Sequence, residues 1–122
     1  MPKKMKPKDL SDQAIDLIAA RFKVLSEPSR LKLLIALEDG EMSVTALVKT
    51  LQATQANVSR HLQTLAEAGL VTRRKEAVTV YYAIADAAVF GLCEHVCGSI
   101  QKRLEQQARA AEGFGRQKGN LG

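Results

Sequence analysis

The residues best suited to chemistry in this chain form a short hydrogen-bonding set. Gln55, Asn57, Ser59, Arg60, Gln63 and Thr64 lie within the segment TQANVSRHLQTLAEAGLVTRRK, residues 54–75. Val58, Leu62 and Leu65 recur there at helical spacing and would face a core, which leaves the polar set outward or flanking. Amides, a hydroxyl and a guanidinium are the groups that pair with base edges in a DNA major groove. No carboxylate interrupts them before Glu67. The second chemically distinctive pair is Cys93 and Cys97, the only cysteines. Thiolates bind trivalent arsenic, soft metals or zinc, and they oxidise. The signatures of an enzyme are missing. There is no Gly-rich phosphate loop, no HExxH and no nucleophile with a matching base and acid.

A recognition helix needs a scaffold, and the flanking sequence supplies one. Ala68-Gly69 stops the helix, because glycine tolerates the left-handed conformation just past a helix end. Leu70-Val71 opens an extended segment that carries Arg73, Arg74 and Lys75. Residues 70–75 and 78–84 read as two strands, the second rich in β-branched and aromatic types. Upstream, Leu47, Val48 and Leu51 mark another helix with Ser43 as a cap. Thr54 can cap the recognition helix after a tight turn. An amphipathic helix or a basic run alone is weak evidence. Two short helices, a glycine stop and a basic hairpin in this order form a winged helix-turn-helix.

The remaining elements follow from the same reading. Ile15, Ile18, Ala19, Phe22 and Leu25 mark a first helix opened by Ser11 or Asp12, and Pro28 begins a second that stops at Asp39-Gly40. Asp86 can cap a long last helix with an apolar stripe through Val89, Cys93, Val96, Cys97, Ile100 and Leu104. The expected fold is mainly α with a small β-hairpin, in the order α-α-α-α-β-β-α. Residues 1–10 read as a disordered basic arm, 11–112 as the winged domain with its C-terminal helix over 86–112, and 113–122 as a disordered Gly-rich tail. A stripe reaching Leu104 calls for a partner, most simply the same helix of a second subunit, so a homodimer joined through the terminal helices is expected.

The chain has 122 residues, enough for one domain. Hydrophobic residues make up 46% and aromatics only 4%, which suits packed helices. The net charge of +5 favours a polyanionic partner, nucleic acid or an acidic membrane, without choosing between them. No apolar run reaches signal-peptide or membrane-span length, so a cytoplasmic protein with reduced thiols is expected.

At this point the sequence resembles the ArsR/SmtB family of bacterial winged-helix repressors. The resemblance rests on LSEPSRLKLLIAL (25–37), SVTALVKTLQATQANVSRHLQTLAEAGLV (43–71) and VYYAIAD (80–86). It implies a dimer that binds operator DNA, an inverted repeat in double-stranded DNA, and releases it when an effector binds. It places base-reading positions on Gln55, Ala56, Ser59, Arg60 and His61, with a packing role the other one open to His61. The outward-face reading adds Asn57 and Gln63. The hairpin departs from the family pattern: its tip is Glu76-Ala77-Val78-Thr79, without the usual glycine and basic residue. Phosphate contact then falls to Arg73, Arg74 or Lys75, lower in the strand. A winged helix used for docking another protein is the competing class. Its recognition surface would be apolar or acidic.

The family's metal sites are vacated here. A Cys-x-Cys at the start of the third helix becomes Ser43 and Thr45. A second set keeps Asp86, but its other positions fall on Ala88, Ser99 and Lys102. A hydroxyl cannot replace a thiolate for a soft metal. A family pairing of cysteines between the second and fifth helices fails too, because the second helix has none. Cys93 and Cys97 remain, four residues apart on one helix face. They are either small buried hydrophobes in a helix interface or an effector site for arsenite, zinc or an oxidant, and a member with no small-molecule effector also stays open. His95 lies on roughly the opposite face and makes a poor third ligand.

Overall fold

Every N-terminus in the first four α-helices is closed by a side chain, and this sets the element boundaries. The structure is a computed structural model that describes the backbone of residues 6–121 and the side chains of 6–115. Ser11 Oγ accepts from the Ala14 amide to open α1, Asp12–Leu25. The Glu27 carboxylate caps α2, Pro28–Ala36, with Pro28 in the first turn where its missing N–H costs nothing. Ser43 Oγ caps α3, Val44–Leu51, and Thr54 Oγ1 caps α4, Gln55–Glu67. These caps satisfy amides that a helix leaves without partners.

Two helix ends close in the same way with different residues. After α4, Gly69 adopts φ +78°, its amide bonds to Ala66 O, and Leu70 N reaches Leu65 O. This Schellman stop brings Leu70 into the core and starts β2, Val71–Glu76. After α3, Gln52 adopts φ +52° and Ala53 N reaches Val48 O. The helix-turn-helix corner is therefore a Schellman turn built without glycine.

β2 pairs antiparallel with β3, Thr79–Ile84, from Val71↔Ile84 to Glu76↔Thr79. A third strand, β1, Met42–Ser43, adds to the other edge of β3, opposite Tyr82 and Tyr81, so the sheet order is β1-β3-β2. The expected two-stranded hairpin is thus part of a three-stranded sheet. A two-residue strand has no alternation to betray it. The core gathers Leu33, Leu34, Leu37, Leu47, Val58, Leu62, Leu65, Leu70 and Val71, all aliphatic and nearly sealed from solvent.

The chain divides at Asp86 into two units. The second is one helix, α5, Ala88–Leu121. Residues 113–122 were expected to be a disordered tail; helix is continuous through Gly113 and Gly115, and residue 122 lies outside the described residues. Glycine weakens a helix by about 1 kcal/mol relative to alanine without forbidding it, and a helix nucleated upstream propagates cheaply. At the other end, Pro7–Asp9 form one turn of 3₁₀ helix where a disordered arm was expected. Proline presets the first residue of such a turn, and Asp9 N closes it on Lys6 O. Residues 1–5 of the arm lie outside the described residues. No helix among the described residues is long and apolar enough to cross a membrane.

Candidate nucleic-acid interface

The outward face of α4 is held from behind. Val58, Leu62 and Leu65 are 0–1% exposed and fix its inner side. At its C-terminus, Arg21 of α1 donates to Ala68 O at 3.0 Å, a cation on a helix end that carries partial negative charge. In its middle, His61 Nδ1 accepts from Arg30 Nε at 3.3 Å, and His61 Nε2 lies 3.7 Å from Glu27 Oε2. His61 is therefore turned into the scaffold, with a side chain only 13% exposed. Of the two roles open to His61, base reading and packing, this geometry favours packing. His61 follows Val58 by three positions and precedes Leu65 by four, so helical geometry puts it on the packed side.

Gln55, Ala56, Asn57, Arg60 and Gln63 remain exposed, with Ser59 half-exposed beside them. Arg60 donates to Asn57 Oδ1 at 3.0 Å, which holds the guanidinium along the helix. Gln63 reaches Glu67 at 3.4 Å, a long contact that leaves most of its amide available. Thr64 is drawn back onto Arg60 O at 3.1 Å.

The wing splits its three cations between two faces. Strand side chains alternate, so Arg73 and Lys75 share one side and Arg74 takes the other. Arg73 lines an open cleft of about 550 Å³ with Gln55, Ser59 and Gln63 of α4, Thr45 of α3 and Val78 of the tip. Neither Arg73 nor Lys75 has an ion pair among the described residues. Arg74 sits on the far side and is consumed there. It pairs with both carboxylate oxygens of Glu41 at 2.7 and 3.1 Å, meets Glu76 at 2.8 Å and stacks 4.6 Å from the Tyr81 ring centroid. The Arg74 hydrogen bond holds the Glu41 carboxyl below its ordinary range, and the two glutamates raise Arg74 further. Arg74 thus ties β2 to the segment before β1, and of the three cations offered for phosphate contact Arg73 and Lys75 are the ones without an ion pair among the described residues. The sequence placed three cations in a row but could not show that Glu41, 33 residues away, takes one of them.

The vacated family metal positions do not fit a metal. Ser43 Oγ is committed to capping α3, and Asp86 lies 3.6 Å from Arg21, where a second cation would be repelled. No group of three or more His, Cys, Asp or Glu gathers among the described residues. Cys93 is half-buried and Cys97 exposed on α5, both as free thiols.

Comparison with known proteins agrees with this geometry. The family model described as bacterial regulatory protein, arsR family, matches residues 27–73, which span α2 to the start of the wing. A homologue of the cadmium resistance transcriptional regulatory protein in Staphylococcus aureus is 32% identical, over 85% of this chain and 81% of its own length. A homologue of the transcriptional repressor SmtB in a Synechocystis strain is 31% identical, over 82% and 76%. The solved homodimeric winged helix-turn-helix DNA-binding domain from Mycobacterium bovis aligns at a TM-score of 0.65 and 31% identity, covering 80% of this chain and 91% of that one. The likeness is to transcriptional regulators and not to enzymes, and by extent and identity this chain belongs to the bacterial arsR family of regulatory proteins.

Proposed function

We propose that the protein is a transcriptional repressor that binds an inverted-repeat operator in double-stranded DNA as a homodimer. The observation that carries this is the cleft between α4 and the wing. Its helical wall presents amides and a hydroxyl, and its strand wall presents Arg73, which has no ion pair among the described residues. Amides and hydroxyls read base edges, and a free guanidinium binds the phosphates that border the groove. Gln55, Ala56, Asn57, Ser59, Arg60 and Gln63 form the reading surface, with Arg73 and Lys75 on the backbone. A protein-docking surface would be apolar or acidic here, and this one is neither.

Arg60→Ala tests the assignment. It removes an exposed guanidinium without touching the core and costs roughly 1–3 kcal/mol of operator affinity. Unchanged affinity in a folded variant would place the reading surface elsewhere. The dimer is supported by apolar side chains left open on two separate helices: Ile15, Ile18 and Phe22 on α1, and Val96, Ile100 and Leu104 on α5.

The effector belongs to the same proposal. One relative is named for cadmium resistance, but the vacated positions leave Cys93 and Cys97 as the one thiol pair, a turn apart on α5. A dimer through α5 gathers four sulfurs, which suits arsenite, zinc or an oxidant. Operator release by arsenite, zinc, peroxide and polysulfide is compared between wild type and Cys93→Ser/Cys97→Ser. Loss of one response in the double variant supports a thiol-directed effector, and identical responses make both cysteines packing residues.

A further inference from the structure

The tip of the wing is chemically unlike the rest of the interface. Glu76↔Thr79 is the last pair of the ladder, so Ala77 and Val78 alone make the turn. Ala77 takes φ +54°, and Val78 is 93% exposed. The other large apolar side chains left open in this unit lie on α1 and α2: Ile15, Leu17, Ile18, Phe22 and Ile35. Val78 alone stands on the cleft, beside Arg73 and Ser59.

We propose that Val78 is a specificity-determining residue, an uncharged steric probe that turns the protein away from operators whose minor groove under the wing is narrow and A·T-rich. The proposal rests on the DNA-binding reading above. With α4 in a major groove about 12 Å wide, the phosphate strand bordering that groove lies in the cleft, against Arg73. The tip then passes over that strand and meets the adjacent minor groove. Narrow A-tract grooves concentrate negative potential and attract inserted Arg, Lys or His. This tip carries none from Glu76 to Val80. Its nearest formal charge is Glu76, whose side chain is 69% exposed. The nearest cation, Lys75, stands one ladder pair below the tip, opposite Val80 and on the side of the strand that Arg73 occupies, while Arg74 is on the far face and shared between two carboxylates. An apolar β-branched side chain beside a carboxylate gains nothing from a deep negative groove. It gains from a wider one whose sugar walls it can touch.

The test selects duplexes from a random-sequence pool with wild type, Val78→Arg and Val78→Ala in parallel. Val78 makes no part of the core, so all three proteins are expected to fold, and circular dichroism checks this. Wild type should return flanks depleted in A-tracts. On synthetic duplexes differing only in those flanks it should bind the G·C-flanked form about five-fold tighter or more, a preference that Val78→Arg reverses. Val78→Arg should also steepen the dependence of affinity on salt by about one unit. Wild-type flanks as rich in A-tracts as those of Val78→Arg would overturn the proposal, as would identical flanks for all three proteins. Enrichment of no duplex by any folded protein would overturn the DNA-binding reading and this inference together.

Discussion

Arg30 Nε donates to His61 Nδ1 across 3.3 Å, and this contact ties the second helix to the middle of the recognition helix. The same guanidinium donates through its other nitrogen to Val24 O, at the end of α1, at 3.1 Å. Glu27 completes the cluster by capping α2 at 3.0 Å while facing His61 Nε2. The ring thus meets Arg30 through Nδ1 and faces Glu27 with its other nitrogen. One arginine therefore joins three helices and sets the position from which α4 presents its outer face.

Removing that guanidinium should cost stability before it costs recognition. Arg30→Ala leaves His61 Nδ1 and Val24 O without their donor in a part-buried site. The expected loss is about 2 kcal/mol, read as a lower urea midpoint with unchanged slope. Arg30→Lys should recover only part of it, because an ammonium cannot serve both acceptors with the same planar fork. A midpoint for Arg30→Ala equal to wild type would show that the cluster is incidental.

Much of the interface was legible because it is local. The three-and-four spacing of Val58, Leu62 and Leu65, the Thr54 cap and the Gly69 stop are written in consecutive residues, and they define α4 and its outer face. What was not legible depends on distant partners. The resemblance left His61 between base reading and packing, and only Arg30 and Glu27, on α2 and just before it, show which way the ring is held. Arg74 looked like its neighbours until Glu41 claimed it. The turn before Thr54 was legible, but the left-handed closure at Gln52 was not, because the usual mark of such a helix end is glycine.

The split between Arg73 and Arg74 predicts two opposite phenotypes from adjacent residues. Arg73→Ala should weaken binding to all duplexes alike and reduce the salt slope by about one, as loss of a phosphate contact does. Arg74→Ala should leave the salt slope unchanged and lower thermal stability, because it releases Glu41 and Glu76 on the far face. Equal salt slopes for wild type and Arg73→Ala would contradict the alternation that assigns these roles.

The Glu41–Arg74 pair also predicts an acid-limb effect. Arg74 lowers the Glu41 pKa in the folded chain below its ordinary 4.5. Its contribution is therefore fully present above that value and lost as pH falls through the lower folded value. Thermal melts from neutral pH downward should show wild type converging on Glu41→Gln at the acid end. The pair is exposed, so the difference should be small and should shrink further in high salt. A gap between the two proteins that widens as pH falls would contradict the pairing.

On α5, Ile100 is 54% exposed and Leu104 59%, one turn apart. If this stripe is the dimer seam, Ile100→Asp buries a carboxylate in it. Burying an unpaired charge costs more than a small interface can absorb. Sedimentation should then show monomers at concentrations where wild type is dimeric, with operator affinity lost in parallel. A dimeric Ile100→Asp protein at low micromolar concentration would move the seam elsewhere.

The two non-glycine turns should be improvable. Gln52 at φ +52° and Ala77 at φ +54° both hold a conformation in which an L side chain crowds its own backbone. That conformation costs roughly 1–2 kcal/mol, and glycine removes the cost at the expense of a more flexible unfolded chain. Gln52→Gly and Ala77→Gly should each therefore raise stability by about 0.5–1 kcal/mol, additively, since one closes α3 and the other the wing. Gly69 provides the reciprocal control. It holds φ +78°, and a Cβ built there meets no atom within 4 Å, so Gly69→Ala isolates the backbone term from any clash. It should lose about 1 kcal/mol. A stability loss on Gln52→Gly would mean that the glutamine side chain contributes more at the helix-turn-helix corner than its backbone conformation costs.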